Sequence, residues 1–232
     1  LGQRELLVEA LRLDPAYAAA YHNLAVTLSA GETVTLSDGR RLGQRELYVE
    51  SLRLDPAYAP AYYNLAATLS AGETATLSDG RRLGQRELYV ETLRLDPAIA
   101  AAYYNLALLL SPGETVTLSD GRRLGQRELY AEALRLDPAY AAAYHNLAVT
   151  LSAGETVTLS GGRRLGKREL LVEALRLDPA YAAAFYALAG TLSAGETVTL
   201  SDGRRLGERE LYVEALRLDP ACLLYTSPSP RD

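Results

Sequence analysis

The chain has 232 residues, of which 48% are hydrophobic and 23% are charged, and its net charge is −5. No apolar run approaches the ~18 residues that a membrane span requires, so we expect no membrane partner. The 24 basic residues are outnumbered by 29 acidic ones that are spread evenly along the chain. Because no basic stripe is present to hold a phosphate backbone, we also expect no nucleic-acid partner.

One stretch of sequence recurs through the chain. A full copy runs from Leu42 to Arg82, and the copies begin at Leu1, Leu42, Leu83, Leu124, Leu165 and Leu206, with a constant spacing of 41 residues. A fixed period of this size is typical of stacked repeats in which each unit buries its apolar face on its neighbours. The copies are nearly identical, which indicates recent duplication, so recurrence alone does not mark a residue as functional.

We expect neither end of the chain to be a natural boundary of the repeat array. Residues 222–232 read CLLYTSPSPRD, which looks like a translated sequencing-library adapter, so we assign the repeat array to 1–221 and expect 222–232 to be a disordered artefact. The only cysteine, Cys222, lies in that segment, so we expect no disulfide or thiolate chemistry. Leu1 lies inside a repeat, so we expect a fragment whose N-terminus is missing. An intracellular location is favoured.

The segment that opens each copy predicts a helix. Apolar residues in Leu1 to Leu13 recur at i, i+4 and i+7, and charged residues take the other face. In the complete copies Gly43 is the predicted N-cap, and Glu46 stands where its carboxylate can reach back to the cap amide. Asp55 precedes a proline and is pushed out of the α region, which predicts the end of the helix.

A further helix is predicted from about Ala18 to Ser29. Its apolar stripe consists of Tyr21, Leu24, Ala25 and Leu28. Gly31 predicts the stop, since a glycine after a helix favours the left-handed conformation.

The last part of each copy, GETVTLSDGRRL in the first, predicts a β-hairpin rather than a helix. A two-residue Asp38-Gly39 turn would place Val34 and Leu42 on opposite faces. A three-residue loop ending in a left-handed Gly39 pairs Val34 with Leu42 and places both, with Leu36, on one face. We prefer the second register because it buries all three, and a lone two-stranded ribbon needs such a face to pack on its own helices.

These segments together resemble the tetratricopeptide repeat. The resemblance is carried in the first helix of the family's unit by Tyr21, Leu24 and Ala25, and in its second helix by Tyr212, Ala215 and Pro220. It covers 1–221 and implies an all-α fold, an α-solenoid in which antiparallel helix pairs stack into a right-handed superhelix. The chain then holds five first helices and six second helices.

Two features depart from the family pattern. The family unit has about 34 residues, and the extra length here falls between the two helices of each unit, where we expect the β-hairpin to be inserted. The small residue expected early in the second helix is replaced by Gln44, so we expect Leu42 to remake the contact between the helices.

Signals for catalysis or metal binding are weak. Residues 161–167 match most of a phosphate-binding loop, but Arg168 stands where the loop needs a serine or threonine. His22 and His145 occupy equal positions three copies apart, which does not bring metal ligands together, so we interpret both as aromatic residues on a helix surface. No nucleophile, base and acid can be assembled. We therefore expect no enzyme activity, no cofactor and no metal site.

The remaining candidate is the face that the first helices share. The resemblance implies a concave groove for an extended or helical peptide. The positions carried over, together with Ala19, Ala67, Ala187 and Gly190, are His22, Asn23, Val26, Tyr63, Asn64, Tyr104, Asn105, Leu108, His145, Asn146, Val149 and Tyr186. The asparagine amides could bond a peptide backbone, or they could satisfy the ends of neighbouring helices, and the sequence leaves both interpretations open.

We therefore predict a scaffold that binds a peptide segment of a partner protein of unknown identity. The family's clamp for a C-terminal carboxylate is not supported, because no lysine or arginine lies on any first helix. The alternative is a structural spacer that associates with itself through uncapped ends or hairpin edges, with no ligand in the groove. Arg40 and Arg41 on the first hairpin disfavour edge pairing, and the oligomeric state stays open.

Overall fold

A computed structural model describes residues 2–220. Over this range eleven α-helices and ten short β-strands follow one another in a regular order. The assignment of 222–232 to an adapter lies outside the described residues, as does Ala221, the predicted end of the array.

The helices fall into the two predicted sets. The second helices of the repeat are α1 (Gln3–Leu13), α3 (Gln44–Leu54), α5 (Gln85–Leu95), α7 (Gln126–Leu136), α9 (Lys167–Leu177) and α11 (Glu208–Leu218). The first helices are α2 (Ala18–Val26), α4 (Ala59–Ala67), α6 (Ala100–Leu108), α8 (Ala141–Val149) and α10 (Ala182–Ala189). Across 2–220, every helix falls short of the length and hydropathy that a bilayer-spanning segment needs.

Strands fill the interval after each first helix. They are β1 (Thr33–Thr35), β2 (Arg41–Gly43), β3 (Thr74–Thr76), β4 (Arg82–Gly84), β5 (Thr115–Thr117), β6 (Arg123–Gly125), β7 (Thr156–Thr158), β8 (Arg164–Gly166), β9 (Thr197–Thr199) and β10 (Arg205–Gly207). The hairpin predicted between the two helices of a repeat is therefore confirmed.

The hairpin register is the three-residue-loop alternative. Val34 pairs with Leu42 in an antiparallel ladder, and the Leu36 amide donates to the carbonyl oxygen of Arg40 at 2.9 Å. Gly39 closes the loop with a φ of 84°, a conformation that residues with a Cβ rarely adopt. Burial of Leu36, together with the half-burial of Val34 and Leu42, fits the physical reason for preferring this register.

The signals at the ends of the second helices are confirmed. The Gly43 amide donates to the Glu46 carboxylate at 3.1 Å, so one of the unpaired amides at the start of α3 is satisfied. The helix ends at Leu54, and the side chain of Asp55 then accepts a hydrogen bond from the Ala57 amide at 2.9 Å.

The first helices end earlier than predicted. α2 stops at Val26 rather than at Ser29. The Thr27 and Leu28 amides donate to the carbonyl oxygens of Leu24 and Ala25 at 3.1 Å, which are the tighter i to i+3 bonds that often close a helix. The Thr27 hydroxyl also donates to the Leu24 carbonyl at 2.7 Å, and this local side-chain bond competes with continuation of the helix.

The described residues divide into two compact units. The amino-terminal unit contains 2–109 and Val116–Arg123, and the carboxy-terminal unit contains Leu110–Thr115 and 124–220. In the amino-terminal unit α2 packs on α1 and α3, and α4 packs on α3 and α5; in the carboxy-terminal unit α8 and α10 each pack between two second helices in the same way. Each unit therefore has a core shared by successive helices, as stacked repeats require.

Gln44 connects the second helix α3 to the preceding first helix α2. Its side-chain amide donates to the carbonyl oxygens of Ala25 at 3.2 Å and Leu28 at 3.1 Å. The Ala25 carbonyl also accepts the Leu28 amide, and the Leu28 carbonyl lies two residues beyond the end of α2. The Gln44 side chain thus joins the two helices itself, and the expected contribution of Leu42 to this contact stays a prediction.

Replacement of Ser51 by alanine is expected to stabilise the protein. Ser51 lies in α3 with 0% of its surface exposed, and its hydroxyl has no hydrogen-bond partner within the described residues. The equivalent positions in α7 and α9 carry Ala133 and Ala174, which shows that a methyl group fits there. Removing a buried unsatisfied hydroxyl should raise the free energy of unfolding by about 1 kcal/mol. Urea denaturation of Ser51→Ala measures the change, and a loss of stability would contradict the explanation.

Candidate functional site

The positions proposed for peptide contact lie on the first helices in both compact units. In the amino-terminal unit they are on α2, α4 and α6, and in the carboxy-terminal unit on α8 and α10. Three apolar members at the ends of their helices are exposed: Val26 by 56%, Leu108 by 51% and Val149 by 54%. The adjacent aromatic and asparagine positions are half-buried, except that His22 is buried and Asn23 is exposed.

The asparagines link one repeat to the next. The Asn64 side-chain nitrogen lies 2.8 Å from Nε2 of His22, and the Asn105 side-chain nitrogen donates to the Tyr63 hydroxyl at 3.1 Å. Each bond joins a first helix to the preceding first helix of the amino-terminal unit. The Asn64 and Asn105 amide groups therefore each contact an aromatic side chain one repeat earlier, an arrangement that neither sequence interpretation included.

His22 is buried, which corrects its interpretation as an aromatic residue on a helix surface. Only 8% of its surface is exposed, and its ring packs edge-on against Tyr58 at 5.2 Å and tilted against Tyr48 at 5.6 Å. Nδ1 faces the Asn23 side-chain oxygen at 3.2 Å, so the neutral ring donates there and Nε2 accepts from Asn64. Tyr48 of the second helix α3 and Tyr58, the N-cap residue of α4, enclose this position, and the pattern of one helix does not reveal them.

The carboxy-terminal unit shows a variant of the same arrangement. Nδ1 of His145 lies 3.2 Å from the Asn146 side-chain oxygen, and the ring packs on Tyr181 at 5.0 Å. In the last first helix Tyr186 packs on Tyr212 at 5.1 Å, and Ala187 stands where the other repeats have asparagine. The aromatic contact between first and second helices is thus retained where the amide is absent.

Lowering the pH below the ordinary imidazole pKa of 6.5 is expected to destabilise the protein. Burial lowers the pKa of His22 and of His145 below that value, so the unfolded chain binds protons that the folded chain excludes. Stability is therefore complete above pH 6.5 and falls as the pH decreases below it. Thermal unfolding of His22→Tyr/His145→Tyr provides the control, because tyrosine occupies this position in the other repeats. Equal pH dependence in the variant and the parent chain would contradict the assignment.

The first helices carry no ionisable group apart from histidine and tyrosine. Within 2–220, no cluster of three histidine, cysteine, aspartate or glutamate side chains is arranged to hold a metal ion. The chemistry that this face offers is hydrogen bonding by amides and hydroxyls together with apolar contact. This chemistry is suited to binding.

A cavity of about 640 Å³ borders this face in the amino-terminal unit. Asn64, Ala67 and Thr68 of the α4 side line it together with Tyr48 and the base of the first hairpin. Arg45 also lines it, but its guanidinium already donates to the Thr68 carbonyl and to Glu73. The first hairpin therefore forms a wall of this cavity beside the proposed contact positions. The sequence had predicted only that the hairpin packs on its own helices.

Solved structures provide the comparison for the fold. The chain matches the crystal structure of YrrB, described as a TPR protein with an unusual peptide-binding site, with a TM-score of 0.55 and 18% identity, over 95% of this chain and 96% of that one. It matches yeast Tom70 with a TM-score of 0.50 and 17% identity, over 94% of this chain but only 39% of Tom70. No family model and no curated protein matched the chain.

The class of protein follows from the helix pairs and these likenesses. The chain has a tetratricopeptide-repeat-like fold, built from tandem helix pairs with a small antiparallel hairpin inserted in each repeat.

Proposed function

We propose that the chain is a binding scaffold, without catalytic activity, that holds a peptide segment of a partner protein on the face formed by its first helices. The observation that carries this proposal is the exposure of Val26, Leu108 and Val149, three apolar side chains at the same place in their repeats. Exposed apolar groups on a rigid, repeated helix surface are typical of protein-interaction sites. The proposal includes the right-handed superhelical stacking that the resemblance implies.

The hydrogen-bonding capacity of this face defines the peptide further. The amide donors of Asn64 and Asn105 are used by His22 and Tyr63. An asparagine side chain also carries a carbonyl oxygen that accepts hydrogen bonds. We therefore expect these oxygens to accept bonds from backbone N–H groups of the peptide, while its apolar side chains cover the valine and leucine positions.

A solved structure with a similar fold supports the proposal. YrrB is described as having a peptide-binding site, and peptide recognition by a repeated helix face requires no chemistry beyond what the first helices present here.

The test starts from a display library of random dodecapeptides selected on the full chain. We expect selected peptides to bind saturably and to compete with one another for one surface. The triple variant Asn64→Ala/Asn105→Ala/Asn146→Ala should keep its far-UV circular dichroism spectrum and bind the selected peptides more weakly. Unchanged affinity in this variant, or selected peptides that occupy several independent sites, would refute the proposal.

A further inference from the structure

We propose that the cavity beside the fourth hairpin, formed by β7 and β8, binds an acidic peptide segment through Lys167 and Arg164. The cavity has a volume of about 640 Å³ and lies within the carboxy-terminal unit. Its walls include both of these residues, Arg168, and Gly190 with Thr191 at the end of α10. This volume lies in the range that accommodates small ligands or a few peptide side chains. The site is at the hairpin and goes beyond the docking face of the first helices.

Lys167 replaces the glutamine that joins helices in other repeats. Gln44 and Gln85 each donate to two carbonyl oxygens at the end of a first helix. Lys167 keeps one such bond, from Nζ to the Leu151 carbonyl at 3.3 Å. An ammonium group has three N–H donors, so the substitution adds a positive charge and retains donors for a ligand.

The hairpin beside this cavity has also lost a negative charge. Gly161 stands where the other four hairpins carry aspartate. In the first hairpin the aspartate, Asp38, binds Arg40 at 2.7 Å, whereas Arg163 in the fourth has Glu173 at 3.9 Å. The fourth hairpin and the start of α9 are therefore more basic than the equivalent part of the first repeat.

The acidic residues around the cavity are already engaged. Glu155 accepts the Ser152 amide and pairs with Arg127, both at 2.7 Å. Glu169 accepts the Gly166 amide at 3.0 Å as the cap of α9. Among the ion pairs of residues 2–220, none involves Lys167 or Arg164, and Arg164 donates only to the Thr156 hydroxyl, at 2.5 Å. Two cations thus line the cavity without a carboxylate partner.

The charges favour a carboxylate ligand from a peptide. An ammonium and a guanidinium on one cavity wall form charge-assisted hydrogen bonds with a glutamate or aspartate side chain. Two engaged glutamates in the same wall, and a chain with a net charge of −5, disfavour the long phosphate backbone of a nucleic acid. The corresponding cavity at the first hairpin has the equivalent glutamates, but it is lined by Gln44 in place of Lys167 and does not include Arg41, so we do not expect it to take an acidic ligand.

The test measures binding of a fluorescein-labelled, glutamate-rich decapeptide to the full chain by anisotropy. We expect one saturable site whose affinity falls with added salt, and no binding of the matching glutamine-rich peptide. Lys167→Gln should weaken binding about tenfold, which corresponds to the lower end of the free energy that one charge-assisted hydrogen bond contributes. The variant should fold normally because glutamine is the residue in four equivalent helices, and its circular dichroism spectrum checks this.

Arg41→Gln is the matched control, since it removes the same charge from an exposed position on the first hairpin. We expect it to leave the affinity unchanged. Equal weakening in both variants would show attraction to net charge alone and overturn the proposal, as would unchanged binding in Lys167→Gln, equal binding of the glutamine peptide, or no saturable binding of either peptide. Tighter binding of a single-stranded oligonucleotide would assign the cations to nucleic acid instead. None of these results bears on peptides held by the first helices, so the two proposals can fail separately.

Discussion

Tyr62→Ala is expected to reduce the free energy of unfolding by about 3–5 kcal/mol, the usual cost of emptying a buried aromatic position. Tyr62 is among the largest side chains in the core of the amino-terminal unit and is 1% exposed. It lies on α4, which packs on both α3 and α5, so the cavity would weaken two helix interfaces at once. Its hydroxyl also accepts a hydrogen bond from Arg81 at 3.4 Å, and that bond is lost with the ring.

Tyr62→Phe separates the ring from the hydroxyl. Phe185 takes the same place in the last first helix, where it is buried, so the phenyl ring is compatible with the fold. We expect this variant to lose about 1 kcal/mol or less, the contribution of a single hydrogen bond. Urea denaturation gives both values, and hydrogen exchange locates the loss, because repeat arrays need not unfold in one step. A Tyr62→Ala variant as stable as Tyr62→Phe would contradict the assignment of this ring to the core.

Leu108→Glu is expected to weaken binding of a library-selected peptide by about 30-fold or more, the effect of removing a hot-spot residue of about 2 kcal/mol. Leu108 is 51% exposed at the end of α6, and a carboxylate there would have to lose its hydration when a peptide covers it. Stability should change by only a few tenths of a kcal/mol, the cost of a negative charge near a helix C-terminus. Isothermal titration and urea denaturation measure the two effects.

Two controls accompany this variant. Leu108→Ala introduces the residue that the preceding first helix has at this position, Ala67. This variant should lose apolar contact without introducing a buried charge, so its affinity for the peptide should lie between those of the parent chain and Leu108→Glu. Val213→Glu changes an equally exposed apolar residue on the second helix α11, and it should leave binding unchanged. If Val213→Glu weakens binding as much as Leu108→Glu, the peptide is not held by the first helices.

Local signals in the sequence were sufficient for the elements of the fold. The cap at Gly43 and Glu46 and the stop at Asp55 depend on residues within a few positions, and both are present. The hairpin register was also predictable. The register that pairs Val34 with Leu42 places the apolar residues on one face where they can be buried, whereas the register with a two-residue turn places Val34 and Leu42 on opposite faces. The end of α2 at Val26 was not predictable from the sequence, because the i to i+3 hydrogen bonds that close the helix do not change the spacing of apolar residues.

Contacts between repeats could not be predicted from the sequence. Asn64 and His22 are 42 residues apart, and their bond depends on how neighbouring helices pack rather than on spacing within one helix. Burial of His22 has the same origin, because Tyr48 and Tyr58 enclose its ring. The sequence shows that Gln44 departs from the family pattern. Its hydrogen bonds to the end of α2 could not be predicted, because they depend on how α2 and α3 are placed relative to each other.

The most direct test of the proposed function is methyl chemical-shift mapping of the full chain with a library-selected peptide. We predict that the methyl groups of Val26, Leu108 and Val149, which are exposed on the first helices, shift on titration with one common dissociation constant. The methyl group of Val213 on a second helix is the internal reference and should stay in place. Shifts confined to Val213 or to the hairpin residues Val34 and Val157, with the first-helix methyl groups unmoved, would contradict a peptide-binding face on the first helices.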